Sequence, residues 1–431
     1  MVESTVAEQS TTVGDIIKKH RIEANLSLTQ LAFLSGLSKG SVSRIERGET
    51  KRPELDTIQA IKHVLDIPYQ DIIERYIEEE ERPDVLLALL SEAILLSDPT
   101  LISRVAAKFL QSPREDTYSL LGKLYNYTST VQNTQVKLFL YNIIVKYARN
   151  RGVQAYLARG LFQTYMIERQ NLSLLEQSYR SGEEILHYVE FLSRVERVTY
   201  YYRMSLHAHN IRHFENCIEM GKMGHAEDPS RNDLKERVAL AICNSFLMLG
   251  KYDELEEHLT AYEEIGYRTI AKRSDYYRAL ILSKKGNVEA AIPLLKESLK
   301  DVTDCNRIYR VNELLEALFQ MDDLHSIEEI LKTEETKFLL LEDDPNQYSG
   351  WGRYCKLKGT FLLKNGVFDE GIATLVQGIH SYSKIRDYEA MLKLTEDIVH
   401  FHCEFQKDIN VHQLGILKQA YKDAKHSESE G

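Results

Sequence analysis

The chain reads as all-α, with a small helical head followed by a long solenoid of paired helices, and three observations say so. Apolar residues recur at helical spacing from end to end, and from Asp84 onwards there is almost no strand alternation. Only eight prolines interrupt 431 residues. A short turn between two helical stretches returns at intervals of 42, 38, 36, 36 and 44 residues. That length exceeds what one compact core serves and predicts two or three domains.

Taken in order, residues 1–12 are polar and aperiodic, as in a disordered tail. The head spans 13–70. Its first helix, Gly14–Ala24, offers Ile16, Ile17 and Ile22 to a core. Ser27 with Gln30 three residues on makes a capping box, so a second helix starts at Leu28 and turns Leu31, Ala32 and Leu34 inward. Gly36 ends it and Ser38 caps a third. There Val42 and Ile45 point one way and Lys39, Ser43, Arg44 and Arg47 the other. The loop GETKRPE then carries Lys51 and Arg52, and Leu55, Ile58, Ile61 and Leu65 define a closing helix. A fifth helix, the acidic linker 71–83, holds Ile72, Ile73, Tyr76 and Ile77, then four glutamates and Pro83. It reads as a solvated linker or as a connector passing movement from body to head. An amphipathic helix whose wet face carries Lys, Ser and Arg suits a major groove. Double-stranded DNA is therefore the expected partner, touched by Thr29, Lys39, Ser41, Ser43, Arg44, Arg47, Lys51 and Arg52.

Residues LTQLA, SGLSKGSVSRIERG and Pro53–Ile61 together resemble the helix-turn-helix of the Cro/C1 (XRE) type over roughly Val13 to Ile67. The resemblance implies an ion pair between Arg21 of the first helix and Glu46 at the end of the recognition helix. Gly40 departs from the pattern, standing where relatives carry a long base-reading side chain. That shifts direct readout to Lys39, Ser43 and Arg44.

Net charge is −11, which fits a DNA binder only once it is located. Between Ser38 and Pro53 five basic residues face two acidic ones, and the excess acid lies elsewhere. A small positive head on an acidic body binds phosphate locally while the body is repelled, which favours dimers. Five well-separated cysteines without a C-x-x-C pair suit a reducing compartment. The N-terminus lacks the pattern of a signal peptide, and no apolar run approaches the ~18–20 residues of a membrane span. The expectation is a soluble cytoplasmic protein.

The recurring turns are LGKYDEL at Gly250, KKGNVEAAI at Gly286, QMDDLHSI at Asp322 and KNGVFDEGI at Gly366, with weaker copies at Arg212 and Gln170. Helical pairs at such periods resemble tetratricopeptide (TPR) repeats, here degenerate, over 84–425 with a flexible tail at 426–431. The implied fold is a right-handed TPR-like superhelix. Val238, Ile242, Phe246, Leu255 and Leu259 become packing residues, and Gly359 sits where two helices must approach closely. First-helix positions then line a concave groove, to which we assign Tyr202, Arg203, Arg237, Asn244, Arg273, Tyr276, Tyr309, Asn312 and Arg353. Asparagine amides suit a peptide backbone and arginine forks suit carboxylates, so a short peptide is the expected ligand.

A helix-turn-helix head, a linker helix and TPR pairs in this order resemble the RRNPP peptide-pheromone receptors of Gram-positive bacteria and their phages, nearest in length to the NprR and arbitrium types. The resemblance implies a homodimeric regulator whose DNA binding responds to a short signalling peptide. Asparagines on the inner helices are that group's backbone clamps, which supports Asn244 and Asn312. Alternatives are a Rap-like docking protein that binds or dephosphorylates a response regulator, and a ligand-independent dimeric repressor. No phosphate loop or catalytic motif occurs, so no enzyme activity, cofactor or metal is expected. His400, His402, Cys403 and Glu404 cluster in sequence, but the spacing puts few of them on one helix face. Tyr200–Tyr202 reads as repeat packing, with some of the rings buried and some exposed.

Overall fold

The computed structural model describes residues 12–300, 302, 304–339 and 345–426, so the expected terminal tails lie almost wholly outside the described residues. The described residues contain helices and no strand. They form two compact units, Met1–Ile211 with Met223–Asp228, and Arg212–Lys222 with Pro229–Gly431.

The first unit opens with α1 (Val13–Glu23), α2 (Leu28–Ser35), α3 (Lys39–Glu46), α4 (Leu55–Leu65) and α5 (Tyr69–Glu79). Local chemistry starts each of the first three. Thr12 and Asp15 form a capping box on α1 and Ser27 with Gln30 another on α2, while the Ser38 hydroxyl accepts from the Ser41 N–H at 3.1 Å. Gly36, at φ 69°, closes α2 in the left-handed region that a side chain resists. Ile17, Leu31, Val42, Ile45, Ile58 and Ile61 fill the head core. Ile22 and Leu34, expected inside, are instead each 56% exposed. Ile22 lies five residues, roughly 140°, around the helix from Ile17, and α2 buries a strip made only of Leu31 and Ala32.

The solvated reading of the acidic linker is corrected. Ile72, Ile73, Tyr76 and Ile77 of α5 are at most 3% exposed. They belong to one continuous apolar cluster that runs from Val13 to Leu157, through α6 (Pro83–Leu95), α7 (Pro99–Leu110), α8 (Thr117–Thr130) and α9 (Thr134–Arg151) into α10 (Gln154–Glu168). The head therefore shares its core with the first helices of the body. The unit continues through α11 (Leu175–Glu183) and α12 (Arg194–Asn210). Tyr200, Tyr201 and Tyr202 of α12 are all buried, so none of that run is the exposed ring anticipated. The partners come from other elements: the Tyr200 hydroxyl donates to the Gly182 carbonyl at 3.0 Å and that of Tyr202 to Asp228 at 3.1 Å.

After α13 (Phe214–Glu227), the second unit stacks hairpins: α14 (Asp233–Met248) with α15 (Tyr252–Ile265), then, past the single turn α16 (Arg268–Ala271), α17 (Ser274–Lys284) with α18 (Val288–Ser298). There follow α19 (Asp304–Gln320) with α20 (Leu324–Glu334) and α21 (Pro345–Lys364) with α22 (Phe368–Lys384), and then α23 (Tyr388–Glu404) and α24 (Val411–His426), which both pack against α22. The repeated turn is one device. Gly250, Gly286, Asp322 and Gly366 all have positive φ, and in each the next N–H closes on a carbonyl five residues back, as Lys251 does on Phe246 at 3.0 Å. Arg386, between α22 and α23, is a further copy the sequence did not reveal, whereas the weak copy at Gln170 is a different turn, followed by a short 3-10 segment. Val238, Ile242, Phe246, Leu255 and Leu259 pack as anticipated, none more than 3% exposed. A Cβ on Gly359 would come within 2.7 Å of Leu375 and 3.0 Å of the Gly371 carbonyl, so α21 and α22 touch there backbone to backbone.

Candidate nucleic-acid interface and ligand groove

The recognition helix is held by its own end. Arg21 of α1 donates from Nε and Nη2 to the two carboxylate oxygens of Glu46 at 2.6 and 2.8 Å, and from Nη1 to the Leu26 carbonyl at 2.8 Å. The hydrogen bonds to Glu46 raise the guanidinium pKa further, and both side chains are nearly buried (13% and 5% exposed). With Val42 and Ile45 also buried, α3 cannot roll, and its opposite face is fixed outward.

The residues expected to touch DNA differ in their exposure. Thr29, Lys39, Gly40, Arg44, Arg47 and Lys51 are exposed, and Ser41, Ser43 and Arg52 half-buried. Lys39, Arg44 and Lys51 form no ion pair with any described residue. Three of the others are engaged: Ser41 shares a hydroxyl hydrogen bond with Ser38 at 2.8 Å, and Arg47 pairs with Glu49 at 3.2 Å. Arg52 pairs with Glu81 at 3.0 Å. The helix proper has eight residues, about two turns, and Arg47 is its C-terminal cap.

Behind this face lies a polar clamp that sequence reasoning missed, because a run of four glutamates looks solvated. The Tyr76 hydroxyl donates to the Pro53 carbonyl at 2.5 Å. Arg82 donates to Glu80 at 2.8 Å and to Glu54 at 3.4 Å. Glu80 is fully buried and also accepts the N–H groups of Glu81 and Arg82, at 2.9 and 2.7 Å. Burial would raise its pKa, but these hydrogen bonds and the Arg82 charge hold it below the usual carboxylate range. Burial likewise pushes the Tyr76 hydroxyl up to about 12. The readable signal was Tyr76 itself, a phenol in line with Ile72, Ile73 and Ile77.

The groove residues divide. In the first unit Tyr202 is 1% exposed and bonded to Asp228, so it faces the packing interior, while the neighbouring Arg203 is half-buried. In the second unit Asn312 has no exposed surface, and its amide donates to the Gly350 carbonyl at 2.8 Å. Asn312 thus ties α19 to α21 instead of meeting a ligand. The half-buried stripe of α19 runs through Tyr309, Glu313 and Glu316, so of the two α19 residues assigned to the groove Tyr309 stands on it and Asn312 does not. Asn244 is half-buried and accepts the Tyr277 hydroxyl at 2.5 Å. Arg353 lies between Glu313 and Glu316, 2.6 Å from each, with Lys284 beyond them at 3.6 and 3.5 Å. Burial would raise the Glu316 carboxyl, yet Arg353 and Lys284 keep it below its ordinary value. Arg310 stacks over the Tyr276 ring at 4.7 Å. Arg237 is exposed, and Arg273, Tyr276 and Tyr309 are half-buried. The His400 cluster yields one ion pair, His400 with Glu404 at 3.6 Å, and among the described residues no group of His, Cys, Asp and Glu side chains is placed to hold a metal.

A capped helix pair, a buried Arg–Glu brace and an outward basic helix define a DNA-binding helix-turn-helix domain. Residues 17–72 match the helix-turn-helix family model. The chain is 38% identical over 68 residues to the HTH-type transcriptional repressor RghR of Bacillus subtilis, an alignment covering 15% of this chain and 50% of that protein. It spans about half the length of the curated relatives it matches. Among solved structures it overlaps PlcR of Bacillus thuringiensis in complex with the peptide PapR7 and DNA, at 14% identity and a TM-score of 0.30, over 76% of this chain and 94% of that one. It also overlaps the apo form of RapI at 9% identity and a TM-score of 0.45, over 80% and 99%. Both overlaps are loose.

Proposed function

We propose that this protein is a DNA-binding transcriptional regulator of the RRNPP type, acting as a homodimer whose operator occupancy is set by a short signalling peptide. The observation that carries the DNA half is the outward face of α3 with Lys39 and Arg44, and Lys51 in the loop after it, unengaged by any described acid, the helix braced from behind by Arg21 and Glu46. Two such heads on a two-fold axis would meet half-sites spaced by the helical repeat of about 10–10.5 bp. The acidic remainder of the chain repels the same DNA, which makes paired heads more effective than one.

The peptide half rests on the second unit, where Arg237, Asn244, Arg273, Tyr276, Tyr309 and Arg353 keep exposed or half-exposed positions on the first helices of successive hairpins. Amides, phenols and guanidinium groups there offer donors and acceptors to an extended backbone. A peptide changes occupancy only through its different affinity for two arrangements of the heads. The experiment is calorimetry of the purified chain against peptides from a neighbouring small reading frame that encodes a secretion signal, followed by operator binding with and without the peptide that binds. Asn244→Ala should abolish the response and spare DNA binding by the free protein. A normal response in that variant would remove Asn244 from the site.

A further inference from the structure

We propose that Glu81 is a built-in competitor for DNA phosphate at Arg52, and that the segment joining α7 to α8 sets how strongly it competes. The inference rests on the DNA-binding reading and adds a control point to it. Arg52 lies in the loop that follows the recognition helix, beside Lys51 and level with its C-terminal end. Its Nη2 is 3.0 Å from a Glu81 oxygen, and the two side chains are 33% and 37% exposed. Lys51, one residue earlier, is exposed and has no acid beside it among the described residues. One of two adjacent cations is therefore open to phosphate and the other is neutralised from within.

The pairing is built in and does not depend on where a loose side chain drifts. On the Arg52 side, the next two residues are pinned: the Pro53 carbonyl accepts the Tyr76 hydroxyl and Glu54 accepts from Arg82. On the Glu81 side, the body holds the residue twice. The Ser112 hydroxyl donates to the Glu81 carbonyl at 2.6 Å, and Arg114 Nη2 lies 3.6 Å from the carboxylate oxygen that Arg52 uses. Lys108 of α7 donates to the Glu78 carbonyl at 2.9 Å, fixing the turn before it. Two arginines, one on the DNA-facing loop and one on the body, thus share a single carboxylate oxygen. A phosphate approaching Arg52 meets the Glu81 charge at contact distance, where repulsion in a partly exposed site is several-fold stronger than in bulk water. Moving the 111–116 segment so that Arg114 takes Glu81 alone would free the Arg52 fork. Moving it away would leave Glu81 wholly on Arg52. Body movement is thereby converted into one phosphate contact more or less.

The test is fluorescence anisotropy of the full chain on a labelled 30-bp duplex of random sequence, between 50 and 200 mM KCl. Glu81→Gln should steepen the salt dependence by the ~0.9 expected of one added phosphate contact, so that its gain over wild type is about 3.5-fold larger at 50 than at 200 mM. In an Arg52→Ala background the same change should give no gain. Arg114→Ala should act in the opposite sense, weakening binding while Arg52 is present and leaving it unchanged when Arg52 is absent. It decides the matter if a thermal melt shows Glu81→Gln to be unfolded. A Glu81→Gln chain with the wild-type slope, or one whose gain persists without Arg52, overturns the competition. A wild-type chain that binds no duplex at 50 mM KCl overturns the DNA-binding reading and this proposal with it, whereas a wild type that binds while both variants match it overturns this proposal alone.

Discussion

At the scale of single residues, the pair Arg21–Glu46 and the side chain of Arg44 separate what holds the head from what it reads. The brace is nearly buried and bidentate, so removing one partner leaves the other charged without compensation. Arg21→Ala should cost about 3–5 kcal/mol of stability, read from chemical denaturation. Arg44 is exposed and unbraced, and Arg44→Ala should leave the melting temperature unchanged while costing about 1–3 kcal/mol at the specific operator if it reads a base. An Arg44→Ala chain with wild-type operator affinity would take that residue out of the interface. Asn312 makes the opposite point. Chemically it is what a peptide clamp needs, and its location inside the α19–α21 contact gives the amide to the Gly350 carbonyl. Side-chain chemistry was readable here and side-chain direction was not, since one residue of register turns a helix by about 100°.

At the scale of elements, the repeated turn and the linker behave differently. The turn depends on few residues: a position tolerant of positive φ and a helix ready to close on it, so it shows in sequence wherever Gly or Asp marks the spot and hides at Arg386. The helices it joins press closest at Gly359 and Gly371. Gly359→Ala should destabilise the second unit by about 1–3 kcal/mol, because the new methyl meets a Leu375 methyl and backbone at Gly371. Calorimetry would show no loss if the α21–α22 spacing could relax. The linker clamp depends on charge state. Glu80 has a folded pKa below its ordinary 4.5, so its contribution to stability is fully present above that value and disappears as pH falls through the lower, folded one. Stability of the wild type should therefore fall more steeply below pH 4.5 than that of Glu80→Gln. Parallel acid limbs for the two proteins would exclude Glu80 as the source.

At the scale of the whole molecule, the unexpected feature is the absence of a seam after the head. Ile72, Ile73, Tyr76 and Ile77 bury in the same cluster as Ile58 and Leu86. A fragment ending at residue 70 would forgo four large apolar side chains, each worth roughly 1.5–3 kcal/mol when buried. In the full chain the head and α6–α10 should consequently melt together in a single calorimetric transition. A separate, earlier transition for the head would contradict the shared core. Continuity of this kind is what a regulator needs if movement in the body is to reach the DNA-facing loop, since a solvated hinge would dissipate it.

The division between what was legible and what was not follows from the range of the interactions. Fold class, the caps at Ser27 and Ser38, the Val42/Ile45 inner face and the packing residues of the α14–α15 hairpin are settled within a few residues of chain, and the sequence by itself determined them. The buried run of Ile72, Ile73, Tyr76 and Ile77, the sharing of Glu81 by Arg52 and Arg114, and the inward turn of Asn312 and Tyr202 each require a partner supplied from elsewhere in the fold. Only the tertiary structure decided those, because desolvating a carboxylate or an amide is tolerable only where donors or acceptors from other elements happen to converge on it.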